Sequence, residues 1–145
     1  MRLQGAIFHL PDALLDASGA PLPGVKEFLS VMKMEGVWMY GVTDQSLEAC
    51  RLVLEGAGLA SYFRGLMQAQ EHGTGLDDPQ LYHKAVKRLR TAPRATAVFT
   101  TNLAALRAAK EEHLYLVFVG QPGQDQDEGA AHQVISDYTD MTQST

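Results

Sequence analysis

Residues 3–10, LQGAIFHL, form a short apolar run of strand length, which Pro11 and Asp12 bring to an end. Runs of the same kind follow at residues 37–42, 65–68, 96–99 and 114–119. Between these runs the apolar residues recur at helical spacing. This pattern predicts helices over residues 25–35, from 43–46 to 56–58, from Pro79 to 89, and over 102–112.

The alternation of strands and helices indicates the fold class. Strands joined by helices of about ten residues pair in parallel, because the chain must cross back over the sheet between them. The run at 114–119 is apolar throughout, which is typical of a strand covered by helices on both faces. We predict one domain, residues 1–145, with a doubly wound parallel α/β sheet of about five strands in three layers. Trp38, Met39 and Tyr40 are expected in its core.

Composition narrows the classes of function. The 145 residues are 46% hydrophobic and 20% charged, with a net charge of −5 and one cysteine, Cys50. An acidic chain offers no basic surface for nucleic acid or an anionic membrane. A single cysteine excludes a disulfide framework and a thiolate zinc site. No run approaches the roughly 20 apolar residues of a membrane span, and no cleavable signal is evident. We therefore expect a cytoplasmic protein.

Ligands of doubly wound sheets bind beyond the carboxyl ends of the strands. Thr43, Thr101 and Asn102 stand at such ends, each before a predicted helix, so their polar groups and the nearby N–H groups can hold an anion. The alternative is simple helix capping. Asp12 and Asp44 are weak candidates for a metal site, although such residues more often form caps and turns.

Seven short motifs follow one another along the chain. The first is Ala6-Ile7-Phe8 followed by His9-Leu10-Pro11-Asp12, and the others lie at 22–25, 42–45, 58–63, 75–82, 98–110 and 129–135. Their order and spacing resemble the haloacid dehalogenase (HAD) superfamily, most closely the branch of β-phosphoglucomutase and phosphoglycolate phosphatase. The resemblance covers nearly the whole chain and implies a HAD-like Rossmannoid fold.

The chain departs from the catalytic pattern of the family that it resembles. In that family an aspartate nucleophile and an aspartate acid/base stand where this chain has His9 and Pro11. The family's lysine is replaced by Leu76, and the metal-binding aspartate of its fourth motif by Thr101. Thr43 alone matches a functional group of the family, the phosphate-binding hydroxyl.

These replacements imply that the family mechanism is absent. Mg²⁺ prefers hard anionic oxygens, and without it or the lysine nothing offsets the charge of a transferring phosphoryl group. Losing one essential member of a catalytic unit costs on the order of 10⁴ in rate. We expect a pseudophosphatase without a cofactor, with a binding or regulatory role. Its partners would be a phosphorylated small molecule or another anion, a protein, or a second copy of the chain.

Only residues 10–23 separate the first strand from the next helix, too few for the helical cap of the family, so we expect a capless core. The tract at 121–129 is predicted to be a polar loop.

Two other hypotheses remain open. The chain is a diverged HAD phosphatase or phosphotransferase that acts on a small phosphorylated substrate through His9, or through Asp12 with Asp44, and then uses Mg²⁺. Alternatively, it is a sensor that binds a sugar phosphate or nucleotide without consuming it. Convergence of the Asp12 and Asp44 carboxylates would favour the enzyme.

Overall fold

The computed structural model describes residues 2–120, 131–139 and 141. Its sheet is built from β1 (Gly5–His9), β2 (Trp38–Thr43), β3 (Gly65–Gln68), β4 (Thr96–Thr100), β5 (Tyr115–Val119) and β6 (Gln133–Ile135). The strand order is β3-β2-β1-β4-β5-β6, and each neighbouring pair is parallel. The α-helices of the described residues are α1 (Val25–Met34), α2 (Leu47–Gly56), α3 (Pro79–Leu89) and α4 (Leu103–Glu111). Single 3₁₀ turns lie at Ala60–Tyr62, Ala69–His72 and Pro93–Ala95.

Helices cover both faces of the sheet, as predicted. Successive side chains of a strand point to opposite faces, so Phe8 and Ile7 of β1 belong to different core clusters. The Phe8 cluster contains buried residues of α1 and α2, including Leu29 and Leu54. The Ile7 cluster contains those of α3 and α4, including Leu81, Tyr82, Leu106 and Ala109. The predicted doubly wound, three-layer α/β fold is therefore confirmed.

The sheet has six strands where the sequence predicts about five. The additional strand, β6, has three residues and pairs with β5 at the edge of the sheet. Three residues are too few for a period of two to stand out from the surrounding sequence. The predicted polar loop at 121–129 lies outside the described residues.

The helices begin where the sequence offers caps. Ser46 accepts a hydrogen bond from the Ala49 N–H, and Asp78 accepts one from Gln80 ahead of Pro79. No helix among the described residues has the length and apolar character needed to cross a membrane.

Trp38 is not a core residue, and that prediction is wrong. Its side chain is 53% exposed, whereas Met39 and Tyr40 are buried as predicted. The reason is register: β2 begins at Trp38, opposite Gly5 at the start of β1, so the indole lies at the amino edge of the sheet, beyond the helices that cover its middle.

Candidate functional site at the strand ends

Three central strands bring the predicted site residues together. β1 ends at His9 and lies between β2, which ends at Thr43, and β4, which ends at Thr100. Because all three strands run in the same direction, these residues meet at the carboxyl edge of the sheet. Pro11 and Asp12 follow β1 after one intervening residue, Leu10. The first motif, the Thr43 position and the fourth motif thus form one neighbourhood.

His9 is the buried centre of this neighbourhood. It is 4% exposed, and its Nδ1 lies 3.2 Å from the Thr100 hydroxyl oxygen. That oxygen also accepts a hydrogen bond of 3.1 Å from the Asn102 N–H, which leaves its own proton free for Nδ1. The other ring nitrogen, Nε2, is buried and has no hydrogen-bond partner. It lies 3.7 Å from Asp12 Oδ2, beyond hydrogen-bond distance.

Burial and nearby charge act in opposite directions on His9. Burial lowers the pKa of its imidazole, and the carboxylates of Asp12 and then Asp44 partly offset this. The net pKa is below the ordinary value of 6.5, so the ring is neutral at neutral pH. A neutral ring carries one proton. In the tautomer in which Thr100 donates to Nδ1, that proton is on Nε2, where it faces the Asp12 carboxylate rather than opposing it with a lone pair.

The lowered pKa of His9 makes a prediction about stability and pH. An unfolded chain binds a proton at this residue below about pH 6.5, whereas the folded chain does so only at lower pH. The free energy of unfolding should therefore fall as the pH drops below 6.5 through the lowered pKa. His9→Gln should reduce this slope, as measured by urea unfolding from about pH 7.5 to about pH 5.5. Equal slopes for the wild type and His9→Gln would contradict a lowered pKa of His9 in the folded chain.

Thr43 and Asn102 hold local backbone groups. The buried Thr43 hydroxyl oxygen accepts from the Gln45 N–H at 3.1 Å, and Asn102 Oδ1 accepts from the Ala105 N–H at 3.1 Å. Asn102 is therefore the N-cap of α4. Thr101 is exposed. The capping alternative is thus confirmed for Asn102, whereas the N-cap of α2 is Ser46 and not Thr43. The anion-binding role of Thr43, Thr101 and Asn102 stays a prediction.

Two contributors to the site were not singled out as site residues from the sequence. Thr100, rather than its neighbour Thr101, contacts His9. The sequence feature that could have indicated Thr100 is its position two residues before Asn102, at the start of a predicted helix. In the structure the Thr100 hydroxyl accepts a hydrogen bond from the Asn102 N–H. Cys50 on α2 lies near enough for the Thr43 hydroxyl and the Asp12 charge to affect its thiol, whose pKa is raised chiefly by burial. A buried thiol of raised pKa is a weak nucleophile.

Leu76, at the position of the family's lysine, is a buried core residue. It is buried in the core cluster of α3 and α4, and its carbonyl accepts a hydrogen bond of 2.6 Å from the Tyr82 hydroxyl. An apolar side chain in this position packs and supplies no charge.

The residues present do not fit Mg²⁺. This ion prefers an octahedral shell of hard oxygens, but the first strand ends in an imidazole followed by Leu10 and Pro11. The Asp12 side chain is 58% exposed, and Asp44 is exposed. No group of three or more His, Cys, Asp or Glu side chains within residues 2–120, 131–139 and 141 is arranged to hold a metal ion.

The connection from β1 to α1 is short. Residues 10–24, all of them described, contain turns and one isolated bridge between Leu15 and Pro21, and no helix.

This sheet order, with a site at the ends of β1, β2 and β4, defines the class of protein: the chain has the fold of the haloacid dehalogenase superfamily. The HAD-like fold that the motifs of the chain imply is thereby confirmed. No family model matches the chain.

Solved structures of this fold match most of the chain. A Thermotoga maritima protein described as a β-phosphoglucomutase aligns with a TM-score of 0.76 and 21% identity, over 86% of this chain and 59% of its own. The NMR structure of the core domain of a Streptococcus pneumoniae protein described as a phosphoglycolate phosphatase aligns with a TM-score of 0.73 and 15% identity, over 99% of this chain and 95% of its own. CbbY from Rhodobacter sphaeroides, solved in complex with phosphate, aligns with a TM-score of 0.71 and 19% identity, over 84% of this chain and 56% of its own.

Among curated proteins, the chain is similar to the protein named "Probable phosphatase IndB" from Dickeya dadantii. The two are 30% identical over 139 residues, which is 94% of this chain and 60% of the relative. The chain therefore spans less than two thirds of the length of this relative.

Proposed function

We propose that this chain is a catalytically degenerate HAD-fold protein, a pseudophosphatase that binds a small phosphorylated molecule at its strand ends and acts through that binding. The observation that carries the proposal is His9: a buried imidazole stands at the nucleophile position with one nitrogen unpartnered. Buried polar groups are normally hydrogen-bonded, so an unpartnered one at a ligand edge points to a ligand atom.

An anion fits this arrangement. The Nε2–H of His9 can donate to a phosphate oxygen at the edge where α2 and α4 begin, and helix N-termini favour negative charge. The Thr101 side chain is exposed at the same edge and can add a hydroxyl. The phosphate complex of CbbY supports this ligand class, since that protein has the same fold.

Phosphoryl transfer by the family route lacks its chemical groups. A nitrogen that carries its proton has no lone pair for attack on phosphorus, so the Nε2–H tautomer of His9 is a donor and not a nucleophile. Pro11 can neither give nor take a proton. Leu76 offers no ammonium group to a transferring phosphoryl group.

The alternative is a diverged HAD phosphatase or phosphotransferase that acts on a small phosphorylated substrate. Its support is the pair of carboxylates, Asp12 and Asp44, that act on His9, together with the phosphatase-named relative. In this hypothesis the carboxylates take over roles that the first strand end has lost. Under either hypothesis we propose a cytoplasmic location. We also propose a protein partner or a homodimer, through which the chain would exert a regulatory role.

One experiment separates the two hypotheses. Phosphate release from p-nitrophenyl phosphate is measured with and without Mg²⁺ for the wild type and Thr43→Ala. We expect the wild type to release phosphate no faster than Thr43→Ala, with or without Mg²⁺. Metal-dependent turnover that Thr43→Ala abolishes would overturn the proposal in favour of the diverged enzyme.

Binding is tested separately by thermal unfolding with inorganic phosphate. At about ten times its Kd, phosphate should stabilise the fold by about 1.4 kcal/mol and raise the Tm by about 3–5 °C. His9→Gln should remove most of this rise. His83→Gln, the same substitution on a half-exposed histidine of α3, should keep it. A Tm that phosphate leaves unchanged in the wild type would refute the binding role.

A further inference from the structure

A second concave surface lies at the amino edge of the sheet, at the opposite end of β2 from Thr43. It is a cavity of about 350 Å³ bordered by Lys33, Trp38, Tyr62, Phe63 and Arg64. This volume is within the usual range of small-molecule sites. We call it the Trp38 cavity. It shares no lining residue with the strand-end neighbourhood of His9.

The Trp38 cavity combines aromatic rings with cations. The Arg64 guanidinium lies over the Trp38 indole, 4.5 Å from the ring centroid, and Lys33 Nζ lies 5.9 Å from the Tyr62 centroid. Each contact is within the distance at which a cation and an aromatic face attract each other. Trp38 remains half exposed, so a large part of an aromatic surface faces solvent at the edge of the cavity.

The charge of this surface is opposite to that of the whole chain. None of the described lining residues of the Trp38 cavity is acidic, although the chain carries a net charge of −5. A shallower depression of about 540 Å³ also borders Trp38 and contains Arg2 and Arg90 against one acid, Glu35. Cations concentrated around one aromatic residue attract anionic ligands to this end of the molecule.

The walls of the cavity are held in place by other parts of the fold. The Tyr62 hydroxyl forms a hydrogen bond of 2.8 Å with Ser30 on α1. Phe63 packs edge-on against Phe8 of β1, with ring centroids 5.7 Å apart. The Arg64 N–H donates to the Met39 carbonyl at 2.7 Å. A site formed before the ligand arrives loses less entropy on binding.

We propose that the Trp38 cavity binds a small organic anion with a planar aromatic ring that carries a phosphate or a carboxylate. The ring stacks among Trp38, Tyr62 and Phe63, and the anionic group pairs with Arg64 and Lys33. Both halves of the ligand are needed, because the aromatic residues and the cations occupy the same cavity. The site is separate from the strand ends, so this proposal does not depend on the proposed function.

The test uses the intrinsic fluorescence of Trp38, the one tryptophan of the chain. Adenosine monophosphate and benzoate are the two probes, since they carry a phosphate and a carboxylate on an aromatic body. Adenosine and inorganic phosphate each supply one half of the ligand. At least one probe should change the fluorescence in a saturable way, with a Kd at least tenfold lower than that of its isolated half.

Variants decide whether the named residues bind. Arg64→Gln and Lys33→Gln should each raise the Kd about tenfold, the effect of about 1.4 kcal/mol. Lys110→Gln, on the exposed side of α4, is the matched control and should leave the Kd unchanged. His9→Gln should also leave it unchanged, which separates this cavity from the strand ends.

Three results would overturn the proposal. The first is the absence of saturation with both probes. The second is equal affinity for a probe and its uncharged or ringless half, which would mean that the cations or the rings do not contribute. The third is a fluorescence change that follows protein concentration together with a dimer in size-exclusion chromatography, which would make this surface an interface between two copies of the chain.

Discussion

Tyr138→Ala is expected to lower the free energy of unfolding by about 3–5 kcal/mol, the usual cost of removing a buried aromatic ring. Tyr138 follows β6 and is fully buried. Its ring lies 5.2 Å from that of Phe28 on α1 and 6.0 Å from that of Phe99 on β4, and its hydroxyl donates to the Ala13 carbonyl at 2.7 Å. The side chain therefore joins the last described segment to the first helix and to the sheet.

Tyr138→Phe is the matched control because it keeps the ring and removes the hydroxyl. It leaves the buried Ala13 carbonyl without this donor, at a cost of about 1–3 kcal/mol. Urea unfolding of both variants gives the comparison. Domains of this kind are stable by about 5–15 kcal/mol, so the alanine variant loses a large fraction of that stability. An alanine variant no less stable than the phenylalanine variant would contradict the packing described here.

Gly24→Ala is expected to lower the free energy of unfolding by about 2–5 kcal/mol, which is more than backbone conformation alone explains. Gly24 precedes α1 with a φ of 82°, a left-handed conformation that costs a non-glycine residue about 1–2 kcal/mol. A Cβ at this position would also lie 2.7 Å from the backbone of Tyr138 and Thr139. Backbone atoms cannot move aside as a side chain can, so overpacking adds about 1–3 kcal/mol.

Gly36→Ala separates the two causes. Gly36 lies just beyond the other end of α1 with a φ of 80°, and a Cβ there meets nothing within 4 Å. It should therefore show the conformational cost alone, about 1–2 kcal/mol. The comparison is made by urea unfolding at one pH. Equal losses for the two variants would show that the segment around Tyr138 does not press against Gly24 in solution.

The sequence was sufficient for the fold because each central strand is an apolar run followed by a helix of its own. The positions of His9 and Thr43 at one edge followed from parallel pairing alone, since parallel strands end together. The strand β6 was not predicted because three residues are too few to show the alternation of apolar and polar side chains that is typical of a strand. Its place depends on pairing with β5, a contact between distant parts of the chain that local patterns do not contain.

The chemistry of the site was harder to predict from the sequence than its position in the fold. The sequence identifies which family residues are replaced, but the state of His9 depends on its burial in the fold and on Thr100, ninety-one positions away. Trp38 was misassigned for a related reason: strand-favouring composition predicts a strand, and only the register tells which residue stands at its open end. Orientation and protonation are tertiary properties, and neither can be obtained from spacing.

Every residue of β1 is buried, as is every residue of β4, and β1 lies between β2 and β4. In such a position the backbone amides exchange with solvent only when much of the domain opens, so they belong to its most protected unit. The imidazole of His9 is attached to that unit. Part of the wall of the Trp38 cavity comes instead from a 3₁₀ turn and the residues after it. We therefore expect the backbone amides around His9 to exchange with solvent more slowly than those of this turn.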